Sequence, residues 1–447
     1  MLDLLEWAKR FVATPSVSRD GNAAIAGLAS DLLAEIGLTS RLERVVHDGV
    51  EHFLLIADIP AGAGGERDGG LILLTHLDTV PPGELDAWTA TGGDPFRPTV
   101  EGDALFGLGS ADAKVDLVCK AAALEQVDRG RLRRPIRVVG TFAEEIGLLG
   151  ARHFVERGGA RGFRYALIGE PSELVGIRAH KGYAVFEATL SLTRVEAGAG
   201  TTRECVLRGR AAHSSTPHLG ENAIDAALAR LRESDVRGVR GLEGGGAVNV
   251  VPDRAVLSLD VAADGQAEAG GAASPAYDPT PLVQFHQAWR ERLIEVASVR
   301  DADFDPDHTV GNLGKIQLRD GSCVIRFDLR PVPGVDVREV VRPLERLAKV
   351  ELVRRNPPLA TSASGPLVGA VQEAQRAAGV EPRILTKATC TEAGLLAESG
   401  ELEAVVLGAG VSIGNVHRPN EYTVISQLAQ ARDIYRGLIE RLCGEGS

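Results

Sequence analysis

Five stretches of this chain set a His, Asp or Glu where an apolar run ends or a glycine-rich turn closes. LILLTHLDTVPPG carries His76 and Asp78, GLGSADAK carries Asp112, and VVGTFAEEIGLLGA carries Glu144 and Glu145. ALIGEP ends on Glu170, and AVVLGAG leads through VSIGNVHRPNEY to His417. In open α/β sheets, ligands collect at the carboxyl ends of the strands. A strand period of two puts His76 and Asp78 on one side, so Asp78 is expected to accept from the second ring nitrogen of His76 and fix its tautomer. Two adjacent carboxylates at Glu144 and Glu145 repel unless something positive neutralises them. In extended backbone they face opposite ways, which lets one bind metal while the other reaches an attacking water. Spacing alone leaves open which does which.

Taken singly, a His-x-Asp pair reads as a core histidine, and Asp112 reads as a helix N-cap. The same placement repeated at strand end after strand end points to one shared site. Two imidazoles and three carboxylates suit a pair of divalent ions, zinc first, with cobalt or manganese next. Such ions, about 3.5–4 Å apart, activate a water and polarise a carbonyl. Amide hydrolysis needs both.

The frame that positions these residues follows from hydrophobic periodicity. Helices are expected at 2–13, 22–36 and 113–127, and strands at 53–59, 71–75, 136–141 and 166–168, an α/β layered sheet with helices on both faces. After Ile177 the segments 183–191 and 201–210 alternate as antiparallel strands with one solvated face. A helix at 222–232, strands around 247–261 and 322–329, and a helix at 281–299 complete a smaller α+β domain. The stretch 262–281, rich in Ala, Gly, Pro and Asp, reads as a mobile surface loop. From about Val337 the α/β pattern resumes and ends in a helix at 424–443. The expected division is a catalytic domain of 1–177 and 334–447, with a mixed sheet flanked by helices, and an inserted α+β domain of 178–333.

Bulk properties agree with an enzyme of this kind. A chain of 447 residues exceeds the usual single-core size. With 44% hydrophobic and 25% charged residues it can bury sizeable cores. A net charge of -12 argues against a nucleic-acid surface. The 5 cysteines form no CxxC pair, as in a reduced cytoplasmic protein. The amphipathic MLDLLEWAKRF is no signal peptide, and no run approaches a membrane span.

Together the quoted blocks resemble the M20 family of dinuclear zinc peptidases and deacylases over nearly the whole chain. The resemblance implies His76 and Glu170 on one ion, Glu145 and His417 on the other, and Asp112 bridging them. Glu144 becomes the general base and later the general acid, with Asp78 orienting His76. A cis peptide at Asp112–Ala113 is implied as well. The inserted domain is similar to the family's lid and dimerisation domain, which makes a homodimer the expected assembly. Its His213, in AAHSSTPHLGENAID, would reach a neighbouring active site and stabilise the oxyanion, the competing reading being a cap formed with Ser214 and Ser215. Arg330, in DLRP, would grip the substrate carboxylate, the competing reading being a pair with Asp328 that holds the strand. Asn249 in NVVP and Asn312 in GNLGK are further candidates for polar substrate contacts.

Four runs, LFGLGSADAK, IGEPSELVGIRAHKGY, FDLRPVPG and ATCTEA, are most similar to the family's deacetylases. Glu392, in the last of them, would meet the cationic end of ornithine, the competing reading being a helix start capped by Thr391 with an acidic first turn. The expected reaction is therefore hydrolysis of N-acetylornithine to ornithine and acetate. A desuccinylase, a carrier-linked amino acid hydrolase and a dipeptidase are the alternatives within the family. A non-catalytic binding protein is disfavoured because the ligands and the base are all present. Val115 departs from the family, which usually has glycine there.

Overall fold

The structure, a computed structural model, describes residues 1–195, 200–262 and 275–444. They form two compact units, one of Met1–Ala179, Leu359–Lys387 and Thr391–Ser447, the other of His180–Pro358 and Ala388–Cys390.

In the first unit, Gly70–His76, Ile136–Thr141, Phe163–Gly169 and Glu403–Val406 are short runs of mostly aliphatic residues. Segments apolar on both faces belong in a parallel sheet between helical layers. Gly70–His76 accordingly lies between Ile136–Thr141 and Phe163–Gly169, parallel to both, and Glu403–Val406 extends the parallel set. Antiparallel strands Arg41–His47 and Val50–Ile59 finish one edge, and Gly176–His180 lies beyond Glu403–Val406 on the other. Successive strand residues face opposite layers. Leu71 and Leu73 join the core under helices Leu4–Val12, Ala23–Glu35, Asp116–Glu125, Pro366–Ala377 and Ile425–Cys443. Ile72 and Leu74 join the one under Leu149–Glu156 and Ala393–Ala397. The mixed α/β sheet flanked by helices is the fold class expected.

The second unit is an antiparallel sheet in the order Lys349–Asn356, Tyr183–Ser191, Ser322–Arg330, Val310–Arg319, Val236–Gly244, Arg254–Ala262, Gly200–Arg208. Helices Ala223–Arg230 and Thr280–Val296 pack on it through Ile224, Leu228, Phe285 and Trp289. Phe327 lies between Phe186 at 5.4 Å and Trp289 at 4.9 Å.

Several boundaries differ from the sequence reading. The strand expected around 247–261 starts only at Arg254, and Val236–Gly244 and Val310–Arg319 are further strands. Residues 263–274 of the expected 262–281 loop lie outside the described residues; beyond them Ala276–Tyr277 is a short strand and Thr280 already starts a helix. Pairing of Lys349–Asn356 with Tyr183–Ser191 carries the second unit to Pro358, past the 333/334 junction expected. Among the described residues no helix is long and apolar enough to cross a membrane.

Candidate metal centre

Every candidate donor except Asp112 lies in a segment that leaves the parallel sheet. His76 is the last residue of Gly70–His76, and Glu170 directly follows Phe163–Gly169. Glu144 and Glu145 come just after Ile136–Thr141, and the segment after Glu403–Val406 leads to His417. Asp112 precedes helix Asp116–Glu125 by a short turn and so is not its N-cap; the Asp112–Ala113 peptide is cis, as the resemblance implied.

Asp112 shares its two oxygens between the two imidazoles. His76 Nε2 is 3.1 Å from Asp112 Oδ1 and 4.0 Å from Glu170 Oε1. His417 Nε2 is 3.0 Å from Asp112 Oδ2 and 3.1 Å from Glu145 Oε1. Two donor sets result, His76–Asp112–Glu170 and Asp112–Glu145–His417, each with its ligand atoms within 4.8 Å of one another. Glu144 belongs to neither. The expectation that these two glutamates diverge from an extended strand does not hold. The strand stops at Thr141 and Ala143 turns into the left-handed region, with φ 51°.

The electrostatics show what this arrangement wants. Burial pushes Glu170 up to about 8, and the Asp112 charge adds to it. Burial also raises Glu144 well above the carboxylate range; His76 opposes this and Glu145 and Glu170 reinforce it. His417 is driven up to about 11 by its hydrogen bonds to Asp112 and Glu145. Burial disfavours a charged His76, yet the Asp112 hydrogen bond and the surrounding carboxylates outweigh it and raise its pKa. Surplus negative charge thus binds any positive charge within reach, here protons on the imidazoles. A carboxylate–imidazole set of this composition fits a pair of divalent cations.

Asp78 holds the site by other contacts than those expected. Its carboxylate is 3.7 Å from His76 Nδ1, too far for a hydrogen bond, whereas the Asp78 backbone carbonyl is 3.1 Å away. A carbonyl only accepts, so Nδ1–H donates to it, while Nε2 faces the Asp112 carboxylate at 3.1 Å and carries the proton that a bound ion would displace. The carboxylate instead accepts the backbone N–H groups of Glu144 at 3.0 Å and Glu145 at 3.3 Å, and the Ser18 hydroxyl at 2.6 Å.

In the second unit, the Ser215 N–H donates to His213 Nδ1 at 3.2 Å, and Ser215 Oγ is 2.7 Å from the same atom. The His213 proton is thereby placed on Nε2. Partial desolvation, followed by the Arg330 charge, lowers the His213 pKa. Arg330 is buried and lies 3.5 Å from Asp328; Ser214 Oγ accepts from its Nε at 3.3 Å and its Nη2 at 3.1 Å. Its guanidinium also covers the Tyr183 ring at 3.8 Å. In this conformation the pairing with Asp328 weighed in the sequence is the one present.

Residues 72–441 match peptidase family M20/M25/M40. The chain belongs to that family. It is 26% identical to an acetylornithine deacetylase of Yersinia pseudotuberculosis, over 98% of this chain and 97% of that one. Its fold is similar to that of an aminoacylhistidine dipeptidase from Vibrio alginolyticus, with a TM-score of 0.72 at 19% identity over 98% of this chain and 96% of that one. An M20 family metallo-carboxypeptidase from Sulfolobus solfataricus has a TM-score of 0.63 at 18% identity, over 99% of both chains. The protein is a hydrolytic enzyme of the M20 family.

Two expected substrate contacts of this M20 enzyme need correction. Glu392 is fully buried in the first unit, where burial pushes it up to about 7 against the opposing charge of His76, so it is not open to a substrate's cation. Asn312 is buried too, and its amide is committed within the second unit. Nδ2 donates to the Val248 and Val250 carbonyls at 3.0 and 3.1 Å, and Oδ1 accepts from Asn222 at 2.9 Å. Asn312 therefore fastens the loop that carries Asn249, which is exposed. Sequence reasoning missed Glu421. Its Oε1 accepts the N–H groups of Ala111 at 2.9 Å and Asp112 at 3.0 Å. The signal was an acid close behind His417 in HRPNEY.

Proposed function

We propose that this M20 enzyme hydrolyses the amide bond of a small N-acyl amino acid, with N-acetylornithine, giving ornithine and acetate, as the leading substrate. The observation that carries the reading is the pair of donor sets joined at Asp112, with Glu144 half-buried in the same segment as Glu145 and outside both. His76, Glu170 and Asp112 would hold one divalent ion and Glu145, His417 and Asp112 the other, and zinc suits this mixture of ligands. When bound, the ions supply a water of lowered pKa and polarise the scissile carbonyl.

Glu144 takes the proton of the attacking water and returns it to the leaving amine. Its seclusion favours the protonated form, which keeps the proton available until the C–N bond breaks. Asp78, through the N–H groups of Glu144 and Glu145, keeps base and ligand in register. His213, protonated on Nε2, donates to the carbonyl oxygen as negative charge grows on it. By the family resemblance it does so at the active site of a second copy, the two joined through their lid domains. Arg330 offers a planar fork to the substrate carboxylate, in exchange for its contact with Asp328.

The likeness to an acetylornithine deacetylase along nearly the whole chain supports the substrate. A second reading, dipeptide hydrolysis, is favoured by the fold likeness to an aminoacylhistidine dipeptidase and by the seclusion of Glu392, the residue expected to recognise ornithine. Zinc-loaded protein assayed on N-acetylornithine, N-succinyl amino acids and dipeptides separates them. N-acetylornithine is expected to give the highest kcat/KM. Turnover confined to dipeptides reverses the assignment.

A further inference from the structure

Behind the candidate metal centre lies a second polar cluster that no step above uses. Asp116 and Lys120 are one turn apart on helix Asp116–Glu125 and both are buried, at 6% and 0% exposure. Lys120 Nζ is 2.7 Å from Asp116 Oδ2, and it donates to the Leu74 carbonyl at 2.5 Å and Thr75 Oγ1 at 2.8 Å. Thr75 Oγ1 in turn donates to Asp116 Oδ2 at 2.9 Å. The Tyr435 hydroxyl, from the last helix, lies 2.5 Å from Asp116 Oδ1 and 2.7 Å from the Leu407 carbonyl. The Asp116 carboxylate also fills the space over Gly169, where an added Cβ would fall 1.9 Å from its Oδ2.

Three arms of this cluster end next to donors of one set. Thr75 precedes His76, Gly169 precedes Glu170, and the Asp116 N–H bonds Ala113, the neighbour of Asp112, at 2.8 Å. The cluster also meets the segment that leads to His417, at the Leu407 carbonyl and beside Gly408, but well before His417 itself. A buried ion pair adds little net stability over apolar residues of the same shape, but its hydrogen bonds fix direction. A residue whose carboxylate meets the segments of His76 and Glu170, and whose backbone N–H meets that of Asp112, is therefore a device for register.

We propose that Asp116, Lys120 and Tyr435 are positioning residues that set the geometry of the His76–Asp112–Glu170 donor set and leave the Glu145–His417 side largely independent. This rests on the reading of two metal sites given above.

The test removes zinc from the loaded protein stepwise with a competing chelator and counts the ions released. Spectra of 15N-labelled histidine assign each ion to His76 or His417. Lys120→Met alone would strand a buried carboxylate and unfold the unit. The pair is therefore replaced together, as Asp116→Leu with Lys120→Met, and Tyr435→Phe provides a milder change that keeps the ring. The folded double variant is expected to hold the His76 ion about 10–100-fold more weakly, the range typical for loss of residues that orient ligands. The His417 ion should be retained, and Tyr435→Phe should weaken the same His76 ion to a smaller extent. Both ions held as in the unsubstituted protein, or both weakened alike, would overturn the proposal. If the double variant does not fold, Tyr435→Phe decides by the same criterion. An unsubstituted protein that binds fewer than two ions defeats the two-metal reading itself, and this inference with it.

Discussion

Among the carboxylates of the site, the half-buried Glu144 and Glu145 are neighbours in sequence with opposite fates. Glu145 meets His417, whereas Glu144 stands outside both donor sets. Glu144→Gln keeps the volume and removes the proton acceptor, so it is expected to leave two ions bound while lowering kcat by about 10²–10⁴. Kinetics paired with elemental analysis check this, and loss of an ion would mark Glu144 as a ligand. His213 offers a test by pH. Desolvation and the Arg330 charge both disfavour its imidazolium, so its folded pKa lies below the ordinary value and the neutral form persists to lower pH. Arg330→Met removes the second cause only. The NMR titration midpoint of His213 should then move upward toward about 6.5, and an unmoved midpoint would show that the guanidinium does not act on the ring.

At the scale of elements, the loop bearing His417 is latched to the segment bearing Asp112. Tyr422–Val424 pairs antiparallel with Ala104–Phe106, the Gly107 N–H bonds the Glu421 carbonyl at 2.9 Å, and the Glu421 side chain reaches Ala111 and Asp112. Glu421→Ala should weaken metal binding by about tenfold or more, because the shared ligand loses its anchor. Glu421→Gln, which keeps an acceptor oxygen, should lose less; equal affinities for the two variants would reduce Glu421 to a spacer. Elements with a clean period were legible from sequence: Ile136–Thr141 and Tyr183–Ser191 fall where alternation and apolar runs put them. Val236–Gly244 was not, because Gly238 and Gly241 coincide with register shifts that break the period of two. Lys349–Asn356 escaped because an edge strand of charged residues carries no buried face to read. The donors were legible because apolar strands lead into their segments, or, for Asp112, a glycine-rich turn does. The surroundings of Glu392 and Asn312 were not, since burial by distant segments leaves no mark in the local sequence.

For the whole molecule, all five candidate ligands belong to the first unit, and the second unit has a core of its own. Divalent ions bound to the native state alone would stabilise it by mass action, about 4 kcal/mol at a thousandfold excess over Kd. Their removal also leaves Glu145 and Glu170 facing Asp112 with only imidazolium protons as compensation. Chelation should therefore loosen the unit that holds the ligands and spare the other. Hydrogen exchange after treatment with a chelator is expected to quicken in Gly70–His76, Ile136–Thr141 and Phe163–Gly169, the strands whose ends carry the donors. Exchange in Val310–Arg319 and Ser322–Arg330, closed over Phe327 and Trp289, should stay as it was. Equal quickening in both sets would mean that the two cores open as one cooperative body despite their separate interiors. No change in either would mean that the carboxylates are held by protein contacts alone, against the electrostatic argument that makes them a metal centre.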